Sequence, residues 1–416
     1  MSEIKEKYAV LVAIAENGSI VDECERSLDE LERLLNTAGG ECFSKVIQVK
    51  DKFDPRTCIG KGKVEEISEL CHANGVTLVV FDFELTPAQI RNLENDIGDV
   101  TVIDRSMLIL DIFALHAVTG EGKLQVELAQ LKYSAPRLTG KGIELSRQGG
   151  GIGSRGPGES KLETDRRHLH EKIVSLEKKL LELEHNRSVM RAQRDRSGLT
   201  KVALVGYTNA GKSTLLNKIT GSDVLVEDKL FATLDPTTRK MELETGESIL
   251  LTDTVGFIRK LPHHLVKAFK STLDEVVYAD ILLIVSDIND PEVQEHLEVT
   301  RSVIEELGAS DKPIIYVYNK CDLVDNVSYA VANDNSICLS ARTGNGIDAL
   351  LEMIGTEISK DKKECTLIIP YSDQHIINQL YNNYNVISVD YLDEGIHVKV
   401  VLDQKGRGQY AAYIRS

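Results

Sequence analysis

Eight residues from Gly206 to Ser213, GYTNAGKS, carry the spacing GxxxxGK[ST], between an apolar run (KVALV) and a stretch of helical character (TLLNKI). In that setting the motif has a physical meaning. Glycines let backbone N–H groups curl around an anion, and the start of a helix adds its positive dipole. Lys212 can reach the β- and γ-phosphates of a nucleotide, and Ser213 can offer its hydroxyl to Mg²⁺. The turn from Gly206 through Tyr207, Thr208, Asn209, Ala210 and Gly211 to Lys212, Ser213 and Thr214 is therefore a candidate phosphate cradle.

Three further groups stand at the ends of apolar, strand-like runs. After SILLT come Asp253, Thr254, Val255 and Gly256, where a carboxylate can hold Mg²⁺ and the Gly256 amide can face a γ-phosphate. Lys212, Asp253 and Gly256 are the candidate catalytic residues. After PIIYVY come Asn319, Lys320, Cys321 and Asp322; a carboxylate at Asp322 can accept two hydrogen bonds from guanine, and adenine has no such pair to offer. After ICL come Ser340, Ala341 and Arg342, whose backbone amides are expected to wrap the base. Ligands of open α/β sheets bind at the carboxyl ends of strands, so four elements at four strand ends point to one site for GTP or GDP. Between them, LFATLDPTTR must supply a threonine to complete Mg²⁺ coordination, and Thr233, Thr237 and Thr238 all qualify on chemistry.

These motifs need a frame. The chain has 416 residues, 42% hydrophobic and 27% charged, which suits several soluble domains, with no apolar run long enough to span a bilayer and no secretory leader pattern. A cytoplasmic location and no membrane insertion are expected. Seven scattered cysteines without a CxxC pair argue against a zinc site or a disulfide framework. The net charge of −16 disfavours DNA as a partner, yet residues 132–201 hold 16 Lys and Arg against 9 Asp and Glu, so an anionic partner should meet that segment.

The first hundred or so residues alternate strand-like and helical runs, the pattern of a parallel sheet covered by helices. Helix follows from about Gly122, with Leu124, Leu128 and Leu131 on one face, until Pro136 ends it. A second helix from about Ser160 to Arg196 carries a seam of Leu169, Ile173, Leu176, Leu180, Leu183 and Met190. Between them eight glycines fall from Gly140 to Gly158, interleaved with Lys141, Arg147 and Arg155. The spacing predicts an antiparallel helical hairpin whose glycine-rich basic tip enters a partner. Gly60, Lys61, Gly62 and Lys63 could bind a phosphate, but without P-loop spacing a tight turn opening a helix is the reading taken. The whole is expected to be a multi-domain α/β protein: a parallel α/β domain at 1–120, the hairpin at 121–198 with its tip at about 139–159, a doubly wound P-loop domain at 199–360, and a small α+β domain at 361–416.

GYTNAGKSTLLN, LFATLDPTTR, DTVGFIRKLP and NKCD, preceded by SRGPGESKLETDRR and DPRTCIGKGKVEEI, closely resemble the HflX family of ribosome-associated GTPases, from about Tyr8 to Ile358. The resemblance implies a protein that binds the large ribosomal subunit and couples GTP binding and hydrolysis to splitting or rescue of stalled or idle ribosomes under stress; a monomer is expected. It places Lys141, Arg147 and Arg155 against rRNA, makes Phe231, Ala232, Thr233, Leu234 and Asp235 the first switch, and makes Thr233, with Ser213, the Mg²⁺ ligand. Ras-like proteins keep a water-orienting glutamine directly after the glycine of DxxG, and here that residue is Phe257, which predicts slow intrinsic turnover that the ribosome accelerates. In several related GTPases an asparagine at the place of Asn209 helps hold K⁺ against the phosphates; K⁺ stimulation and K⁺ independence both stay open. A ribosome-assembly factor or a GTPase linked to RNA modification is the alternative reading, although residues 1–120 show no nucleophile–base constellation.

Overall fold

The computed structural model describes the chain apart from residues 1–3, 5–6, 16–20, 51, 139–156, 197–198, 223–229, 232, 261, 263–264, 266–269, 325–334, 361 and 416, and apart from the side chains of 137–138, 157–163, 165, 186, 188, 190–196, 270–272, 382–383 and 404–405. The expected basic tip, with Lys141, Arg147 and Arg155, lies outside the described residues, as does Ala232.

The N-terminal sheet is wholly parallel and ordered β2-β1-β3-β4, from β1 (Tyr8–Ala15), β2 (Glu41–Val49), β3 (Leu78–Phe81) and β4 (Thr101–Asp104). The unbroken apolar run of β1 fits a strand covered on both faces, and Ala9 to Val12 are fully buried. On one face lie α1 (Val21–Thr37) and α4 (Arg105–His116), through Leu28, Leu31 and Leu35 and through Leu108, Ile109 and Phe113. On the other lie α2 (Lys61–Asn74) and α3 (Pro87–Ile97). Gly60 caps α2, its N–H bonded to Gln48 Oε1 at 2.8 Å, which is the tight helix-opening turn expected there. Helix α4 has no counterpart in the sequence reading. It is apolar nearly all round, so it shows no amphipathic period to detect.

Helix α5 (Gly120–Leu138) contains Pro136, which was expected to end it; placed in the last turn, the proline costs one backbone bond and the helix runs two residues further. Helix α6 (Pro157–Arg196) packs on α5, with Leu176 buried and Leu169, Ile173, Leu180 and Leu183 half-buried along the expected seam. Exposed ion pairs Lys132–Glu177 and Lys172–Glu127, both 2.7 Å, join the two helices and add little energy each, and the half-buried pair Arg187–Glu121 joins them too. No helix among the described residues is long and apolar enough to cross a membrane.

The central sheet is ordered β10-β9-β8-β5-β7-β6, from β5 (Thr200–Val205), β6 (Thr237–Glu242), β7 (Ser248–Asp253), β8 (Ile281–Asp287), β9 (Ile314–Asn319) and β10 (Ser336–Cys338). Only β6 runs antiparallel. Helices α7 (Lys212–Thr220) and α10 (Ile347–Lys360) cover one face; α8 (Lys270–Tyr278) and α9 (Val293–Glu306) cover the other. The C-terminal sheet is antiparallel, β12-β13-β11-β14, from β11 (Lys363–Ile369), β12 (Asn385–Leu392), β13 (Gly395–Leu402) and β14 (Ile414–Arg415), with α11 (His375–Asn383) against it. The β12–β13 hairpin turns across Asp393 and Glu394, as its sequence suggests.

The N-terminal and central units share one core and a buried polar cluster. The Arg105 guanidinium, 2% exposed, reaches Asp82 at 2.7 Å and Glu30 at 2.6 Å. The second Asp82 oxygen takes Ser27 Oγ at 2.7 Å and Lys260 Nζ at 2.6 Å, the latter from the stretch after Gly256. Tyr207 donates its hydroxyl proton to Glu30 and accepts the Arg259 N–H at 2.8 Å. Burial pushes the Asp82 carboxyl up, but Arg105 and Lys260 outweigh it and hold the group below the usual carboxylate range. Removing one partner of such a cluster strands a buried charge, at a cost of about 3–5 kcal/mol.

Candidate functional site

The phosphate turn begins where β5 ends. Gly206 (φ 144°) and Gly211 (φ 92°) hold backbone conformations that side chains disfavour, and both are also closed to a Cβ by contact. A Cβ would meet Val285 O at 2.1 Å from Gly206 and Asn319 Nδ2 at 2.2 Å from Gly211. Asn209 stands exposed at the crest with φ 61°. Helix α7 starts at Lys212, so its first amides open onto the turn.

Lys212 is 6% exposed and folds back over the turn, donating to Gly206 O at 3.1 Å and Tyr207 O at 2.8 Å. Burial pushes its ammonium down to about 8, with Asp253 opposing. Burial also raises the Asp253 carboxyl, against Lys212 and hydrogen bonds from Ser213 and Thr233. Both groups are thus short of charge partners, and a phosphate anion beside one and a cation beside the other would restore them.

Ser213 Oγ donates to Asp253 Oδ2 at 2.6 Å and lies 2.9 Å from Thr233 Oγ1. Asp253 Oδ1 is buried with no hydrogen-bond partner. Two hydroxyls and an orphaned carboxylate oxygen are a hard, oxygen-only donor set, the kind Mg²⁺ takes. Of the three threonines open on chemistry, Thr233 is the one brought here. Thr237 and Thr238 lie in β6, with Thr238 Oγ1 3.0 Å from Thr252 Oγ1.

Gly256 lies against the turn: a Cβ there would meet Thr208 Cα at 2.7 Å and Lys212 Nζ at 3.0 Å. Phe257 is fully buried, its N–H bonded to Gly206 O at 3.1 Å and its carbonyl to Thr208 N–H at 2.8 Å. Its ring packs in the core.

At the base end, Asn319 bridges two loops, donating to Ala210 O and accepting from Ala341 N–H, both at 2.9 Å. Lys320, with φ 65°, pairs with Asp287 at 2.8 Å. Cys321 is half-buried on a short 3-10 turn, with Asp322 exposed beside it. One expectation changes. The amides of Ser340 and Ala341 donate to Asn345 O and Asn319 Oδ1, so they shape the loop before Arg342 instead of offering free donors to a base.

Several other candidate nucleotide contacts turn elsewhere. Tyr207 points to Glu30 and stacks on His296 with ring centroids 3.7 Å apart. Phe231 packs edge-on against Phe113 at 4.7 Å, and Leu234 is buried. Asp235 accepts from Thr119 N at 2.8 Å, Thr119 Oγ1 at 2.5 Å and Val118 N at 3.0 Å, holding the start of α5. Thr254 is buried and donates to Leu204 O at 2.6 Å, and Val255 is buried beside it. The sequence reading missed Glu30, Asp82, Arg105 and Lys260 as a group. The signal was there for Glu30, an acid on the apolar face set by Leu28, Leu31 and Leu34.

Asp322 offers a direct check. Asp322→Asn replaces a carboxylate by an amide that mismatches the N1–H and amino group of guanine but suits the C2 carbonyl of xanthine. Two charge-assisted hydrogen bonds at ~1.5–3 kcal/mol each make a loss of about 100-fold or more in GTP and GDP affinity the expected result, with a gain for XTP. Binding of fluorescent nucleotides measures it, and unchanged guanine affinity places the base elsewhere.

Family models match in order along the chain: "GTP-binding GTPase N-terminal" at 25–114, "GTP-binding GTPase Middle Region" at 116–194, "50S ribosome-binding GTPase" at 201–320 and "HflX C-terminal domain" at 325–408. GTPase HflX of Caldanaerobacter subterraneus is 50% identical over 94% of this chain and 90% of its own length. GTPase HflX of Lacrimispora saccharolytica is 48% identical over 96% and 94%. Among solved structures, the crystal structure of the SsGBP and GDP complex aligns with 85% of this chain and 99% of that one, at 24% identity and a TM-score of 0.47, and bears on no residue assignment. Near-full-length identity at this level, on a chain whose nucleotide motifs meet at one sheet edge, settles the family: the chain belongs to the HflX GTPases.

Proposed function

We propose that this GTPase works on the large ribosomal subunit, in the cytoplasm and as a monomer, and uses GTP binding and hydrolysis to split or rescue stalled or idle ribosomes under stress. The observation that carries the reading is the grip of Asp235 on the start of α5. A residue of the first switch stretch thereby holds one of the two helices that flank the basic, glycine-rich segment. A change at the γ-phosphate has a bonded route to that segment. The positive charge of residues 132–201 suits rRNA, and the central domain matches a family described as 50S ribosome-binding.

Mg²⁺, held by Ser213 and Thr233 with Asp253 behind them, would neutralise charge on the β- and γ-phosphates. Lys212 and the Gly256 amide address the γ-phosphate, and Asp322 selects guanine. Phe257 orients no water, so turnover is slow until the ribosome completes the site. The units at 1–120, 121–198, 199–360 and 361–416 serve as sensor, probe, motor and appendage respectively.

Sedimentation with ribosomes tests the reading. The protein should pellet with large subunits in the presence of a non-hydrolysable GTP analogue and stay in the supernatant with GDP. Replacing both Arg147 and Arg155 by alanine should lower the slope of log affinity against log salt by about two. Binding that ignores the nucleotide, or that survives the double substitution unaltered, defeats it. The K⁺ question at Asn209 is separable: turnover in KCl above that in NaCl at equal ionic strength supports a K⁺ ion there, and equal rates remove it.

A further inference from the structure

Strand β8 ends in Asp287, and Asp287, Ile288 and Asn289 take hold of the segment that carries Asp322. In register Asp287 stands beside Asn319, and the Ile288 N–H donates to Asn319 O at 3.1 Å. One oxygen of the Asp287 carboxylate, Oδ2, pairs with Lys320 Nζ at 2.8 Å. The other, Oδ1, accepts the Asn289 N–H at 3.0 Å and Asn289 Nδ2 at 3.2 Å. Asn289 Nδ2 also donates to Lys320 O at 2.9 Å. Lys320 is thus held at its side chain and at its carbonyl, by one carboxylate and the amide which that carboxylate orients.

The grip falls on an unusual residue. Lys320 has φ 65°, a left-handed conformation that side chains disfavour. Its carbonyl also accepts the Leu323 N–H at 3.1 Å, the bond that closes the 3-10 turn Cys321–Leu323. Asp322 is the middle residue of that turn and is exposed, so the backbone around Lys320 decides where its carboxylate points. A partly exposed ion pair adds little to folding stability. What Asp287 sets here is geometry.

We propose that Asp287 and Asn289 are positioning residues for guanine selection: they hold Lys320 in its left-handed turn, and through it aim the Asp322 carboxylate at the N1–H and exocyclic amino group of the base. A carboxylate turned out of that line makes poorer hydrogen bonds. The contact with the amino group is the one that separates guanine from hypoxanthine, which keeps the N1–H and lacks the amino group. The inference rests on Asp322 reading the base.

Affinities for GDP and for inosine diphosphate, with single-turnover rates at saturating GTP, are the measurements on Asp287→Ala and Asn289→Ala. Both variants should lose about tenfold in GDP affinity and less for the inosine nucleotide, so that the ratio between the two falls, while the rate at saturation holds. In the Asp322→Asn background the same substitutions should cost less than about twofold further, since the carboxylate they aim is gone. Asn289 is exposed, so its variant keeps the test open should Asp287→Ala fail to fold. Equal weakening of GDP and inosine diphosphate, or full additivity with Asp322→Asn, overturns the proposal and leaves the two residues a local support. Where Asp322→Asn itself leaves guanine affinity unchanged, the reading of Asp322 falls and this inference with it. Where that substitution weakens GDP and the two alanine variants do not, this inference alone falls.

Discussion

Backbone can reach a triphosphate only where no side chain stands in the way, and the central domain is arranged around that constraint. Gly206 lies so close to the Val285 carbonyl, and Gly211 so close to Asn319, that no other residue fits at either place. The approach requires β5 between β7 and β8, with β9 next in the sheet. That order brings the phosphate turn, Asp253, Asn319 and the Ser340 loop to one edge. Asn319 then ties the turn to the loop with two hydrogen bonds, which join the phosphate and base ends of the site.

A second constraint joins this domain to the N-terminal one. Burying the Arg105 guanidinium is costly, and the cost is met by Glu30 and Asp82, whose remaining oxygens go to Tyr207, Ser27 and Lys260. Two positive and two negative groups balance inside one cluster. Tyr207 belongs to the phosphate turn, and Arg259 and Lys260 follow Gly256, so neither nucleotide element can shift without disturbing the cluster. Where a ligand of the N-terminal domain changes nucleotide affinity through this cluster, linkage requires the nucleotide to change that ligand's affinity by the same factor. With Asp235 on the start of α5 and Phe231 on Phe113 of α4, the Phe231–Asp235 stretch leans on the same N-terminal neighbour.

The parts legible in the sequence were those with a short, local cause. The phosphate turn shows itself because glycine, lysine and serine must stand at fixed spacing, and the alternating runs of the first hundred residues show themselves because each strand needs a covering helix. Helix α4 was illegible because burial on nearly all sides erases its periodicity. The end of α5 was misjudged because a proline in a last turn costs a single bond. The inward turn of Tyr207, Phe231, Leu234 and Asp235 could not be read, since it depends on α1, α4 and α5, which lie more than a hundred residues upstream. The Ser340 and Ala341 amides, free in the sequence reading, prove to be taken by nearby Asn345 and Asn319, through a loop closure that residue types alone do not show.

The strand ends thus gather one guanine-nucleotide site, and Phe257, the residue after its DxxG glycine, is a buried ring that cannot orient a water by hydrogen bonding. The most direct measurement is the GTP turnover rate of the intact protein, with purified large subunits added over a range of concentrations and small subunits as the control. The expected result is slow turnover alone, a saturable rise with large subunits and none with small ones. Turnover that is already fast alone, or that large subunits leave unchanged, contradicts the account.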